Sequence, residues 1–171
     1  LVLSNIHEDL GAKMVDFAGY FMPVQYEGVN VEHQTVREEV GVFDVSHMGE
    51  VFVKEERAEE FLQYITSNDV SKLTPGKVQY TCLPNEKGGI VDDFLLYMLE
   101  KDKYLLVVNA SNMEKDLAWI NNHNSFGCTI DNQSDNYSLF AVQGPKAIEL
   151  LQQLTDENLL AIKYYNFKRG S

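Results

Sequence analysis

The stretch EVFVKEERAEEFLQYI (residues 50–65) decides the fold, because two hydrophobic periods meet in it. Alternating side chains at its start predict a strand over Val51 to Lys54. The remainder predicts a helix over Glu55 to Ser67, whose apolar residues recur at i, i+3, i+4 and i+7. A strand followed at once by such a helix indicates a sheet with a helix packed on one face. The apolar residues of that helical face are Ala58, Phe61, Leu62 and Ile65.

Strand and helix patterns continue to alternate after this stretch. Gly88-Gly89 marks a turn between two strands. Ser111 and Glu114 predict a capping box at the start of a second helix. The order strand–helix–strand–strand–strand–helix–strand predicts a ferredoxin-like α+β layer. The further strands are predicted over 78–83, 90–99, 104–110, 128–132 and 137–142, and the second helix over 111–123.

The flanking segments are less regular. Glycines and a proline interrupt residues 10–28, which predicts loop and short extended pieces. Asn30 is placed to cap a helix that ends at Gly41. Gly144-Pro145 predicts the opening of a last helix. The final residues, YYNFKRGS (164–171), have the pattern of a strand that enters something larger, so we expect a truncated chain.

Composition narrows the class of protein. The 171 residues carry a formal net charge of −12, which argues against a nucleic-acid partner, because phosphate binding needs clustered Lys and Arg. No apolar run approaches the ~20 residues that span a membrane. Cys82 and Cys128 lack CxxC spacing and the four histidines are scattered, so we expect neither a disulfide framework nor a metal site.

The motif GGIVDDFLLY (residues 88–97) places two carboxylates, Asp92 and Asp93, at the start of a strand. Neighbouring strand residues point to opposite faces, so one carboxylate faces the interior and the other faces solvent. An inward carboxylate needs a donor or a ligand, and its burial favours the role of proton acceptor. The alternative is that both residues cap the turn and stay hydrated.

Two further polar groups stand at ends of predicted elements. Asn109 lies where an apolar strand passes into a helix, either as a ligand contact or as a turn residue. Asp44, Ser46 and His47 cluster in FDVSHMG (residues 43–49), but a catalytic triad needs convergence in space and no G-x-S-x-G motif is present. We expect this segment to be a hydrogen-bonded loop that braces the sheet.

Five longer motifs, in this order, resemble the aminomethyltransferase (T-protein) family of the glycine cleavage system. The resemblance is nearly collinear over the whole chain. The motifs are HEDLGAKMVDFAGYFMPVQYEG (7–28), VGVFDVSHMGE (40–50), TSNDVSKLTPGKVQYTCLPNEKGGIVDD (66–93), YLLVVNASNMEKDLAWI (104–120) and QGPKA (143–147).

The resemblance implies an α+β fold in which three domains surround a tetrahydrofolate cavity, in a protein about twice this length. Residues 1–48 and 136–171 would then belong to a discontinuous folate-binding domain. Residues 49–135 would form the ferredoxin-like subdomain inserted in it. The family's downstream folate contacts would lie beyond this chain, which would then be an amino-terminal portion that is inactive alone.

The resemblance also implies the reaction and its residues. The methylene of a lipoyl-bound aminomethyl group on the system's carrier protein, the H protein, passes to tetrahydrofolate, and ammonia is released. The catalytic residue falls on Asp93, which leaves Asp92 as an outward structural partner. The compartment would be the bacterial cytoplasm or the mitochondrial matrix. The folate contacts fall on Met48, Tyr80, Tyr97 and Asn109.

The sequence departs from the family where Tyr20 replaces a usual Trp and where Glu55-Glu56 replaces a usual Gly-Pro. Two other functions remain open. One is a folate-binding module without transferase activity, as in iron–sulfur assembly relatives of the family. The other is an interaction fragment that folds only with a missing half.

Overall fold

A computed structural model describes residues 1–17 and 19–170 of the chain. In chain order its helices and strands are α1 (Ser4–Asp9), β1 (Lys13–Phe17), β2 (Tyr20–Gln25), α2 (Val29–Glu38), β3 (Gly41–Asp44), β4 (Gly49–Lys54), α3 (Ala58–Ile65), β5 (Val78–Pro84), β6 (Ile90–Glu100), β7 (Lys103–Val108), α4 (Met113–Asn122), β8 (Thr129–Asn132), β9 (Phe140–Gln143) and α5 (Ala147–Leu151). Short 3₁₀ helices occupy Val70–Lys72, Ala110–Asn112, Ser134–Asn136, Gln152–Leu154 and Leu159–Ala161.

The chain divides into two compact units, each discontinuous in sequence. The first comprises Leu1–His47 and Ser138–Ala161, together with Gly170. The second comprises Met48–Tyr137 and Ile162–Arg169.

The first unit contains two antiparallel strand pairs, β1 with β2 and β3 with β9. The short extended pieces predicted within residues 10–28 are confirmed as the strands of a hairpin, a pairing that the sequence analysis did not predict. The predicted cap at Asn30 is wrong. Helix α2 starts at Val29, and the Glu32 carboxylate accepts the backbone N–H groups of Tyr26 and Gly28 at 2.7 and 2.9 Å.

The second unit is built on a five-stranded antiparallel sheet in the order β5-β6-β7-β4-β8. Helix α3 connects β4 to β5, and helix α4 connects β7 to β8. Strands β6, β7, β4 and β8 with these two helices form the predicted ferredoxin-like layer, and β5 is an additional edge strand. The strands predicted for this sheet are confirmed, with ends that move by one or two residues.

The hydrophobic core lies between one face of this sheet and the two helices. The predicted face of α3 is confirmed: Ala58, Phe61 and Leu62 are fully buried, and Ile65 is almost so. Side chains from β4, β6 and β7 meet them, and Ile120 of α4 completes the cluster. Burial of each large side chain stabilises the fold by about 1.5–3 kcal/mol, so this core holds the two helices against the sheet.

Two predicted helix starts are displaced. The capping box of Ser111 and Glu114 is not formed, because residues 110–112 make a 3₁₀ turn and α4 begins at Met113. Asn112 precedes α4, but its side chain does not cap the helix and bonds to Asp92 at 2.7 Å instead. Helix α5 begins at Ala147, two residues after Pro145.

The strand predicted for the last residues is wrong in the described part of the chain. Tyr165 has a φ of 54°, a left-handed conformation that interrupts an extended run. A single bridge joins Lys77 to Asn166. Backbone bonds of 2.9 Å also run from Val78 N to Tyr165 O and from Phe167 N to Gly76 O, so this segment lies beside β5 in the second unit.

Candidate functional site

The sheet of the second unit has one face packed against helices and one face without them. Cross-strand partners share a face, so the register defines rows of side chains across the helix-free face. One row contains Glu50, Val107, Leu95 and Tyr80. The next row contains Phe52, Leu105, Tyr97 and Val78.

Three of the five residues singled out in the sequence lie on this face, and the other two stand at strand ends. Asp93 stands two residues before Leu95 on β6, so the alternation of the strand puts it on the helix-free side. Met48 lies in a bend directly before β4. Asn109 follows the last residue of β7. Tyr80 and Tyr97 belong to the two rows themselves. The register thus brings Tyr80, Asp93 and Tyr97 to one face, and the pairing of Gly49 with Val108 puts Met48 and Asn109 side by side, just beyond the paired ends of β4 and β7.

Tyr80 and Asp93 are joined directly. The Tyr80 hydroxyl donates to Asp93 Oδ2 at 2.7 Å, from β5 to β6. Tyr80 is 49% exposed, and its hydrogen bond to the carboxylate raises the pKa of the hydroxyl to about 12. Asp93 is half-buried, so its carboxylate is held in a fixed direction at a surface that a ligand can reach.

The expected orientation of the two aspartates is reversed. Asp92 is the inward carboxylate, only 5% exposed, and it shares the helix-covered face with Phe94 and Leu96. Asp93 points to the helix-free face. The sequence did not resolve the two directions because β6 carries apolar residues on both faces, including Leu95.

Asn109 links the two aspartates. Its Nδ2 donates to Asp92 Oδ1 at 3.1 Å and to the backbone carbonyl of Asp93 at 3.0 Å. Its amide oxygen accepts no hydrogen bond from the described residues, and it therefore remains available to a ligand donor. The sequence alternatives for Asn109 were a ligand contact and a turn residue, and these bonds are compatible with both.

Met48 and Tyr97 are both half-buried. Met48 precedes Gly49, where an added Cβ would lie 2.8 Å from Val108 and 3.0 Å from Met113. This close approach fixes the start of β4 and with it the position of Met48. The Tyr97 ring packs edge-on against Phe167 at 5.4 Å between centroids, and burial raises the pKa of its hydroxyl.

Glu50 is a polar residue of this face that the sequence reasoning missed. It is 3% exposed, and neither carboxylate oxygen has a hydrogen-bond partner among the described residues. Burial raises the pKa of the carboxyl to about 7. Its place in an alternating strand, on the side of Phe52, was the available signal.

The histidine-containing loop of the first unit is not a triad. Asp44 pairs with His7 Nε2 at 2.9 Å, and His7 Nδ1 lies 2.7 Å from the Tyr26 hydroxyl. Ser46 exchanges hydrogen bonds with the backbone of Leu139 at 2.9 and 3.3 Å, so the prediction of a bracing loop is confirmed. No cluster of three metal-binding side chains occurs within residues 1–17 and 19–170.

A separate cleft of about 820 Å³ lies in the first unit, between the β1–β2 hairpin, α2 and β3. Val42 and Phe43 on its wall are exposed, as is Val24. None of the five candidate residues lines this cleft.

Across the described part of the chain, no helix combines the length and the apolar character needed to cross a membrane.

A family model for the GCVT N-terminal domain matches residues 3–171. The chain belongs to this family. Its relatives include the aminomethyltransferase of Flavobacterium psychrophilum. The two sequences are 61% identical over 168 residues, which cover 98% of this chain and 47% of that protein. The aminomethyltransferase of Bacteroides fragilis is 62% identical over 164 residues, 96% of this chain and 45% of that protein.

A solved structure supports the same family. The crystal structure of the glycine cleavage system aminomethyltransferase T from Bartonella henselae matches with a TM-score of 0.91 at 35% identity, covering 97% of this chain and 46% of that one. The α+β fold is therefore that of the GCVT N-terminal domain family. The chain spans about half the length of these relatives.

Proposed function

We propose that this chain is the amino-terminal portion of a tetrahydrofolate-dependent aminomethyltransferase of glycine cleavage. Such an enzyme passes the methylene of a lipoyl-bound aminomethyl group to tetrahydrofolate and releases ammonia. Family membership supports this function, and so do relatives named aminomethyltransferase that are about 60% identical. The observation that carries it is the Asp93 carboxylate on the helix-free sheet face, bonded to Tyr80 and next to Asn109.

The residues of this face fit a reduced pteridine. The ring system presents N–H donors, which a carboxylate accepts, and a flat apolar surface, which branched side chains and aromatic rings contact. Asp93 supplies the acceptor and Asn109 an amide oxygen. Leu95, Leu105 and Val107 lie in the rows between Glu50 or Phe52 and the two tyrosines. Tetrahydrofolate supplies the nucleophilic amine, N5.

In this proposal each residue has a defined task. Asp93 accepts hydrogen bonds that orient the folate and stabilises positive charge at the reacting carbon. Tyr80 holds Oδ2 of that carboxylate, so that the second oxygen keeps its direction. Met48 and Tyr97 contact the ring and its aryl tail. Fixed positioning of this kind contributes several kcal/mol to catalysis, about 7–11 in the best intramolecular cases.

The proposal extends to partners and organisation. The second substrate would be the lipoylated carrier protein, in the bacterial cytoplasm or the mitochondrial matrix. The predicted division assigns residues 1–48 and 136–171 to a discontinuous folate-binding domain and 49–135 to the ferredoxin-like subdomain. Since the sheet unit contains all five folate residues of this proposal, we propose that the subdomain contributes directly to folate binding. The contacts that complete the folate site would come from the part of the relatives that this chain does not span.

The decisive experiment compares the complete protein with its Asp93→Asn variant, in tetrahydrofolate calorimetry and in a methylene-transfer assay. We expect transfer to fall on the order of 100-fold or more, because a preorganised charge is lost, while most of the binding is kept. Asp135→Asn, at an exposed carboxyl, is the matched control. Binding without transfer in the wild type would instead support the folate-binding module, and unchanged transfer in Asp93→Asn would refute the assignment.

A further inference from the structure

A pair of buried carboxyl groups lies behind the candidate site. Asp92 of β6 is 5% exposed and Asp116 of α4 is 1% exposed. Asn112, whose amide donates to Asp92 Oδ1 at 2.7 Å, lies one helical turn before Asp116, so the same side of α4 brings Asp116 towards Asp92. Each carboxyl also affects the pKa of the other. The proposed function uses neither of them. Two charges buried side by side are costly, so the pair requires an explanation.

The hydrogen bonds around the pair are incomplete for two carboxylates. Asp92 Oδ1 accepts the amide groups of Asn109 and Asn112 at 3.1 and 2.7 Å. Asp92 Oδ2 and both oxygens of Asp116 have no donor from any other described residue. One proton on Asp116, donated to Asp92 Oδ2, would give the pair its missing hydrogen bond and remove one of the two charges.

The charges that face the pair agree with a single proton. Burial, together with the hydrogen bond to Asp92 and its charge, raises the pKa of Asp116 to about 7, and the charge of Lys115 opposes these effects. Burial alone would raise the pKa of Asp92, but hydrogen bonds from Asp116 and the two asparagines hold it below its ordinary value. Both shifts put the proton on Asp116.

Among the described residues, Lys115 is the only other charge that shifts the pKa of either carboxyl. From α4, Lys115 Nζ donates to Val91 O at 2.7 Å and to Asn112 Oδ1 at 3.0 Å. From β6, Asp93 points to the opposite face. The segment after β7 contributes only the neutral amides of Asn109 and Asn112, and α3 contributes apolar side chains to the core.

The pair is connected to the helix-free face through one side chain. Asn109 uses the same Nδ2 for Asp92 Oδ1 and for the Asp93 carbonyl. Asp92 is also the chain neighbour of Asp93. A change in the charge or position of Asp92 therefore reaches both Asn109 and the backbone that carries Asp93.

We propose that Asp92 and Asp116 hold one proton between them and act as positioning residues, fixing Asn109 and Asp93 for the ligand on the opposite sheet face. This role rests on the proposed function, because it specifies how the same site is kept in order. Asp92 and Asp116 themselves touch no ligand. When the proton leaves Asp116, the two carboxylates repel each other. Asp92 then shifts, and its hydrogen bond from Asn109 Nδ2 weakens.

The first test observes the pair in this chain without ligand. Nuclear magnetic resonance follows the Asn109 side-chain amide signals from about pH 5 to about pH 9. We expect them to titrate near neutrality in the wild type and to stay constant in Asp116→Asn, whose amide donates to Asp92 permanently. Glu114→Gln on the same helix, and Glu50→Gln at the other raised carboxyl, should keep the titration. The proposal of a shared proton would be refuted if the Asn109 signals stopped titrating in Glu50→Gln rather than in Asp116→Asn. It would also be refuted if they did not titrate in the wild type.

The second test measures tetrahydrofolate affinity of the complete protein by calorimetry over the same range. As pH rises through the Asp116 pKa, the wild type should lose about 3- to 10-fold in affinity, the value of one ligand hydrogen bond, whereas Asp116→Asn should show a flat profile. An alkaline loss that persists unchanged in Asp116→Asn would refute the positioning role. If the wild type binds no folate, the proposed function fails and the resonance titration alone decides the proton sharing. Asp116→Val, which lacks a donor, should bind weakly at every pH.

Discussion

At the residue scale, Tyr80 and Asp93 form a side-chain link between two strands on a surface open to ligands. A hydrogen bond to an ionised acceptor is stronger than a neutral one, but exposure to water reduces its net value. Its main effect is therefore directional: it fixes one carboxylate oxygen and leaves the other to the ligand. Asp92, one position earlier, meets the core instead.

Tyr80→Phe tests this direction-fixing role. The change removes the hydroxyl and keeps the ring, so folate affinity of the complete protein should fall about 3- to 10-fold, the net value of one hydrogen bond. The free energy of unfolding should change by less than about 0.5 kcal/mol, since the side chain is half-exposed. Calorimetry and urea unfolding measure the two quantities. Tyr64→Phe, at an exposed ring on α3, is the control, and an equal loss of affinity there would contradict the assignment.

Glu50→Gln tests the cost of a buried carboxylate. The pKa of Glu50 is raised from 4.5 to about 7, so the folded state retains its proton where the unfolded state has lost it. The stability gained from this protonation is fully present below the unfolded pKa and is lost as pH rises through the folded one. Glu50→Gln cannot lose a proton, so it should match the wild type below pH 4.5 and exceed it on the order of 3 kcal/mol above pH 7.

Urea unfolding of this chain at both pH values measures the difference. Glu149→Gln, at an exposed carboxyl, should follow the wild type at each pH. If the free energy of unfolding of Glu50→Gln changes with pH as much as that of the wild type, a group other than Glu50 causes the pH dependence.

At the element scale, the start of β4 depends on a glycine. An added Cβ at Gly49 would lie 2.8 Å from Val108 Cγ2 and 3.0 Å from Met113 Cε, closer than ordinary contact. Only a residue without a side chain lets β4 approach β7 and α4 at this point. The same approach positions Met48 and Glu50, which flank the glycine.

Gly49→Ala should therefore destabilise the chain by about 1–3 kcal/mol, the usual cost of overpacking. Urea unfolding measures this cost. Val108→Ala opens space beside the new methyl group, so the double variant should lose less stability than the sum of the two single variants. If the stability losses of the two single variants simply add in the double variant, crowding against Val108 is not what destabilises Gly49→Ala.

The hairpin β1–β2 and helix α4 illustrate how context decides the ends of elements. Glycines in residues 10–28 indicated loop and short extended pieces, and strand pairing joins the extended pieces by a ladder of backbone hydrogen bonds. Ser111 and Glu114 have the spacing of a capping box, but residues 110–112 form a 3₁₀ turn instead. This turn brings the Asn112 side chain to Asp92. Local propensity lost to a buried tertiary contact in this second case.

At the scale of the whole molecule, the sequence is divided between two discontinuous units. The sheet unit contains all five candidate site residues, and it also takes in residues 162–169 from near the end of the chain. A chain that spans about half of its relatives thus contains a complete sheet-and-helix layer with its own core. The activity proposed above is the one named for relatives about twice as long as this chain.

The sequence by itself determined the ferredoxin-like order, the buried face of α3 and the family, because periodicity and long collinear motifs are local properties of the chain. It did not determine that Asp92 rather than Asp93 is buried. Both faces of β6 carry apolar residues, and only the packing of the helices decides which face is covered. It did not reveal the Asp92–Asp116 pair or the isolation of Glu50. Hydrogen-bond partners and burial depend on residues distant in sequence, and only tertiary packing brings those residues together.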